Sequence, residues 1–183
     1  MKANILNRIP KILVFAFLFF SCSSDLDFDQ ANDLKLEPVF VANLAYFNVP
    51  ATQLINDGSP QVISDVQGFD AFKDEFFRDN LVKAEFDFEV ENTIVRAFRI
   101  EMLLLDANDQ TLEANSYSVP AYSGGSNIIK FPTEVYENQR LDLLKQTVKL
   151  KFIVTMESGP PLDENSKGNL KFRSSANVYM VIE

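Results

Sequence analysis

The sequence contains no histidine and no tryptophan, and it has a single cysteine in 183 residues. Without histidine there is no Ser-His-Asp triad, no Cys-His dyad and no His-bearing zinc or iron site of the usual kind. One cysteine cannot close a disulfide within the chain, so the fold must rest on its core. No G-x-x-x-x-G-K segment occurs, which excludes nucleotide hydrolysis by that route. Long apolar runs are equally scarce. The run Ile12 to Phe20 has nine residues, well short of the roughly twenty that span a bilayer as a helix.

What is present at the start is ordered by charge. Lys2, Arg8 and Lys11 precede the apolar run, and Ser21 and Cys22 end it. A basic opening, a short apolar stretch and a small-residue exit form a secretory signal peptide over residues 1–21. Leu18-Phe19-Phe20-Ser21-Cys22 resembles a lipobox, where bacteria attach diacylglycerol to a cysteine and cleave just before it. The resemblance implies lipidation of Cys22 and accounts for a cysteine without a partner. Ser23-Ser24-Asp25-Leu26-Asp27-Phe28-Asp29 is in turn similar to the export signals of surface-exposed lipoproteins in Bacteroidota-type cells. That likeness implies an outer-membrane location facing the cell exterior, with the periplasmic face as the alternative. Read from composition alone, residues 22–33 are an acidic, solvated tether, too polar to offset its own ordering entropy.

Loss of Lys2, Arg8 and Lys11 with the signal peptide leaves 14 basic against 26 acidic residues, a net charge of −12. Such a surface repels phosphate backbones, so no nucleic-acid partner is expected. Membrane attachment then comes through lipid and not through a basic patch. Residues 34–183 are expected to form one domain, about 150 residues long and able to bury a core without disulfides.

Within it, Val82, Ala84, Phe86, Phe88 and Val90 alternate with Lys83, Glu85, Asp87, Glu89 and Glu91. A period of two marks a strand with one buried and one wet face. Phe98, Ile100, Met102 and Leu104 continue the rhythm after the polar Asn92-Thr93, which suggests a hairpin. Two further long sets, Val148 to Met156 and Leu170 to Ile182, flank a loop marked by Gly159, Pro160, Pro161 and Gly168. Shorter candidates lie at 34–47, 61–66, 112–117 and 127–131. Eight such runs predict an all-β, antiparallel two-sheet sandwich of immunoglobulin-like type. Phe69, Phe72, Phe76 and Phe77, and separately Leu141 and Leu144, follow helical spacing and predict one or two short helices capping its open ends. The phrase Phe86 to Asn92, with the amphipathic run after it, resembles the opening of fibronectin-type or late-embryogenesis-type sandwich modules.

Candidate chemistry is sparse. Asp106-Ala107-Asn108-Asp109-Gln110 gathers oxygen atoms but lacks the glycine and closing glutamate of an EF-hand, and it reads as a turn. No metal and no cofactor are expected. Acidic residues fall on wet faces or in turns, and no catalytic carboxylate pair stands out. For ligand binding the candidates are Tyr117, Tyr122 and Asn127, around the Ser123-Gly124-Gly125-Ser126-Asn127 loop, where a tyrosine could stack on a sugar ring. The expected role is a non-catalytic surface module contacting an envelope protein or glycan. A glycan-binding accessory lipoprotein of a sugar-uptake system is the alternative.

Overall fold

Phe86, Phe88 and Val90 point one way along their strand and Asp87, Glu89 and Glu91 the other, and this alternation sets the centre of the molecule. The computed structural model describes residues 35–69, 74–125 and 127–182. The expected signal peptide, Cys22, the expected acidic tether and Phe72 lie outside the described residues. The structure is an all-β sandwich of two antiparallel sheets. The first orders β1 (Val39–Pro50), β9 (Asn169–Met180), β3 (Leu81–Asn92) and β6 (Ile128–Lys130), with β7 (Glu134–Tyr136) also paired to β3. The second orders β2 (Gln61–Gly68), β8 (Lys149–Met156), β4 (Phe98–Leu105) and β5 (Thr111–Val119). β6 and β7 act as one edge strand broken around Pro132, which has no N–H to give to the ladder.

Phe86, Phe88, Ile100, Met102, Phe152 and Phe172 are all buried between the sheets. The ring of Phe172 stacks near Phe47, Phe88 and Phe152, with centroids 5.1, 5.9 and 5.4 Å away. Such pairs add to the large apolar burial of each ring.

The topology corrects two expectations. β3 and β4 are not a hairpin: they belong to opposite sheets. The link between them is stiffened by Asn92, whose amide donates to the carbonyls of Arg96 (2.9 Å) and Pro120 (2.7 Å) and accepts from the Ile94 N–H (2.9 Å). The chain is thus turned across the core at a place where a polar dipeptide had suggested a simple reversal. The immunoglobulin-like order gives way for the same reason. Only β4–β5 joins neighbours directly by a short turn, and the order 1-9-3-6 facing 2-8-4-5, with β6 and β7 as one strand, is that of an eight-stranded jelly roll. Val82, expected inside, is 46% exposed, because a register shift between Leu81 and Lys83 puts Leu81 in the core instead.

Among the described residues two short α-helices interrupt the strands. α1 (Glu75–Asn80) starts at Asp74, whose carboxylate accepts from the Phe76 N–H at 2.8 Å. Phe77 packs partly against the core and meets Phe40 edge-on, while Phe76 stays exposed. α2 (Asn138–Gln146) buries Leu141 and Leu144. Both helices belong to the same end of the sandwich, together with the β4–β5 turn and the bridge between Leu36 and Ile182. The other end carries the links 51–60, 93–97, 120–127 and 157–168.

Candidate functional site

β1 changes parity part-way along. Phe40 and Ala42 share a face with Val178 and Ala176, and beyond them Phe47 and Val49 share it with Phe172 and Leu170. In between, Asn43 pairs with Ser175 and Tyr46 with Arg173, so Leu44 and Ala45 both stand opposite Ser174. The extra residue is a β-bulge. Ser174 pins it, its buried hydroxyl accepting from the Ala45 N–H at 2.8 Å and donating to the Ala45 carbonyl at 3.0 Å. Simple alternation from Asn43 would turn Tyr46 into the core. The bulge places it on the outer face, 63% exposed.

That outer face carries a groove of about 520 Å³. Asn43 of β1, Ser175 of β9 and Asp87 of β3 form one row through it, each opposite the next. Thr133, in the break between β6 and β7, completes the row by donating to Asp87 Oδ1 at 2.6 Å. A second row holds Arg173, Glu89 and Lys130. Arg173 donates to Glu89 at 2.6 Å, and the Lys130 ammonium stands 3.7 Å from the same carboxylate. A smaller hollow of about 230 Å³ joins Tyr46 and Arg173 to Asn43 at the sheet edge. Among the described residues the side chains of Asn43 and Ser175 have no hydrogen-bond partner. Two carboxylates and two cations therefore balance along a floor of mixed donors and acceptors.

The edge of the sandwich where β7 meets β5 is closed by a charged staple. Arg140 of α2 bonds to Glu113 of β5 and, at 2.9 Å, to Glu134 of β7, which ties the two edge strands together. Its guanidinium lies 4.5 Å from the centroid of the Tyr136 ring. Hydrogen bonding to Glu113 raises the Arg140 pKa further. Asn115 donates to the Tyr136 hydroxyl at 3.2 Å, and the Tyr117 hydroxyl donates to Glu134 at 3.3 Å. Burial, followed by the charge of Glu134, pushes the Tyr117 phenol well above its ordinary value; burial and Glu113 do the same to Tyr136. Both phenols are locked in their neutral, hydrogen-bonding form.

At the loop end, Arg96 is 1% exposed and faces carbonyls instead of a carboxylate. It donates to Glu157 O, to Pro160 O at 2.9 Å, to Gly58 O and Ser59 O at 3.2 Å, and to Asn56 Oδ1 at 3.1 Å. One side chain thus organises three links.

The residues singled out from sequence separate. Tyr117 is 6% exposed, with rings of Phe88 and Phe131 centred 5.1 and 4.8 Å away, so it presents no face to a ligand. In the sequence it ends a short strand next to polar residues, a pattern that does not reveal the aromatic cluster behind it. Tyr122 is half-buried, and its N–H donates to Ile94 O at 2.9 Å. Asn127 is half-buried; its carbonyl accepts from the Asn92 N–H, and its amide nitrogen is buried without a partner among the described residues. None of the three lines the groove. In the turn at Asp106, the carboxylate accepts from the N–H groups of Asn108 and Gln110, both at 2.8 Å. No group of three acidic or cysteine side chains that could hold a metal occurs among the described residues. No helix among them is long and apolar enough to cross a membrane.

No protein-family model matches the chain, and no curated protein does. Solved structures do. The subviral particle of infectious bursal disease virus VP2 aligns with 79% of this chain and 32% of its own, at 11% identity and a TM-score of 0.49. A protein of Parabacteroides distasonis described as secreted aligns with 65% of this chain and 38% of its own, at 15% identity and a TM-score of 0.43. The Desmodium yellow mottle tymovirus structure aligns with 81% and 90%, at 7% identity and a TM-score of 0.34. The chain spans about a third of the length of the first two. The jelly-roll assignment rests on the strand pairing of the chain itself.

Proposed function

We propose that the protein is a non-catalytic lipoprotein of the outer membrane, held by acyl chains on Cys22 and facing the cell exterior, whose sandwich serves as an interaction or structural module. The observation that carries this reading is the order of Lys2, Arg8 and Lys11, the apolar run to Phe20, and the chain's lone cysteine directly after Ser21. Each acyl chain contributes roughly 0.8 kcal/mol per buried methylene, and two or more give stable attachment. A glycan-binding accessory role is the second reading, favoured by the polar groove on the β1–β9–β3 face.

The anchor and its orientation are separable by mutation. Cys22→Ala is expected to abolish acyl labelling and leave the chain off the membrane or unprocessed. Changing Asp25, Asp27 and Asp29 together to Ala should leave membrane fractionation intact and remove accessibility to protease added to whole cells. Acyl label persisting in Cys22→Ala would overturn the anchor, and unchanged protease access in the triple variant would reduce the acidic run to a passive tether.

A further inference from the structure

Resting on the reading of the sandwich as an interaction module, we propose that the outer face of the β1–β9–β3 sheet binds a neutral oligosaccharide, with Tyr46 as its stacking platform and Asn43, Asp87, Arg173 and Ser175 as its hydrogen-bonding floor. The groove, at about 520 Å³, falls within the roughly 300–1,000 Å³ of small-ligand clefts. Its floor is built on paired strands, so its polar groups are fixed at strand spacing: two steps of about 4.8 Å separate Asn43 on β1 from Asp87 on β3. A ligand laid across the strands meets an amide, a hydroxyl and a carboxylate in turn.

The chemistry of these groups selects hydroxyls. Thr133 holds one oxygen of Asp87 and turns the carboxylate, whose second oxygen has no hydrogen-bond donor among the described residues. Asn43 and Ser175 each offer both a donor and an acceptor. A sugar hydroxyl, itself donor and acceptor, complements all three. The charge balance selects against an acidic ligand. Arg173 and Lys130 are already engaged by Glu89, and the whole chain carries a net charge of −9. No cationic surplus remains for a uronic acid or a sulfate. At the edge of this floor stands an aromatic ring, 63% exposed on a bulge that Ser174 fixes from inside. Tyrosine supplies an apolar face with a polar tip, which suits the C–H face and the hydroxyl rim of one sugar ring.

The test is an array of neutral and acidic oligosaccharides probed with the full chain, purified in a detergent that has no sugar headgroup. Neutral glycans are expected to bind, and Tyr46→Ala and Asp87→Ala should each weaken binding by about tenfold or more while the circular-dichroism melt is kept. Tyr122→Ala and Asn127→Ala should bind as the parent does. A silent array, binding confined to acidic glycans, or binding that survives both groove substitutions overturns the site. Crosslinking in intact cells reads the underlying module separately. Envelope crosslinks retained with a silent array remove only the glycan site, whereas loss of both removes the interaction module as well.

Discussion

Four side chains buried among the described residues are polar, namely Asn92, Arg96, Thr147 and Ser174, and each holds backbone in a shape that strand pairing alone does not impose. Asn92 turns the chain between sheets, Thr147 closes α2 on Leu143 O at 2.9 Å, Arg96 gathers three links and Ser174 holds the bulge. The apolar residues beside them carry the bulk of the stability. Phe88→Ala is expected to cost about 3 to 5 kcal/mol through lost burial and a cavity, since the ring is 2% exposed and packs on Phe172 and Tyr117. Its neighbour Asp87 faces the outer groove, and Asp87→Ala should stay within about 0.5 kcal/mol. Chemical denaturation of both variants measures the contrast, and equal midpoints would remove the in-and-out assignment of β3. At this scale the sequence was half legible. Alternation exposes Phe88 and Asp87 at once, but an arginine or serine reads as solvated until the carbonyls around it are known. Tyr46 left a fainter trace. Apolar parity switches from Phe40, Ala42 and Leu44 to Phe47 and Val49, and such a switch in an otherwise regular strand is the mark of a bulge.

Elements differ in how much of their environment is written into their own residues. β3, β4, β8 and β9 each lie between two neighbouring strands and under the opposite sheet, so their burial patterns alternate over most of their length and announce them. β7 is three residues long, too short for any period, and is held by Arg140 and by its pairing with β3. Partner choice was not legible either, because the Asn92-Thr93 link is as polar as a hairpin turn. The staple between β5 and β7 has a pH signature of its own. A tyrosine titrates near pH 10 in the unfolded chain, whereas Tyr117 and Tyr136 hold their protons to higher pH when folded. Their contribution is thus complete below about pH 10 and is lost as the pH rises beyond it. Unfolding free energy measured above that point should fall more steeply for the parent than for Tyr117→Phe/Tyr136→Phe. Identical slopes would mean that the phenols do not secure this edge.

For the molecule as a whole, the arrangement of its ends matters as much as its sheets. Leu36 and Ile182 exchange backbone hydrogen bonds of 3.0 and 2.9 Å, so the described sandwich is entered and left at one spot, beside α1 and α2. Every link at the far end joins strands of opposite sheets, and one of them holds Gly124 and Gly125 at φ of 98° and 85°, with open space around both. This geometry makes the chain permutable. A short linker joining Ile182 to Leu36, with new termini cut between Gly124 and Gly125, keeps every strand beside its present neighbours and breaks no ladder bond. The permuted chain should unfold in one cooperative transition with the same near-ultraviolet dichroism from its packed tyrosines and phenylalanines. A chain that collapses without that signal would show that β5 must be followed directly by β6 for the edge to close. Success would make the jelly roll a property of its pairings, indifferent to where the polypeptide is opened.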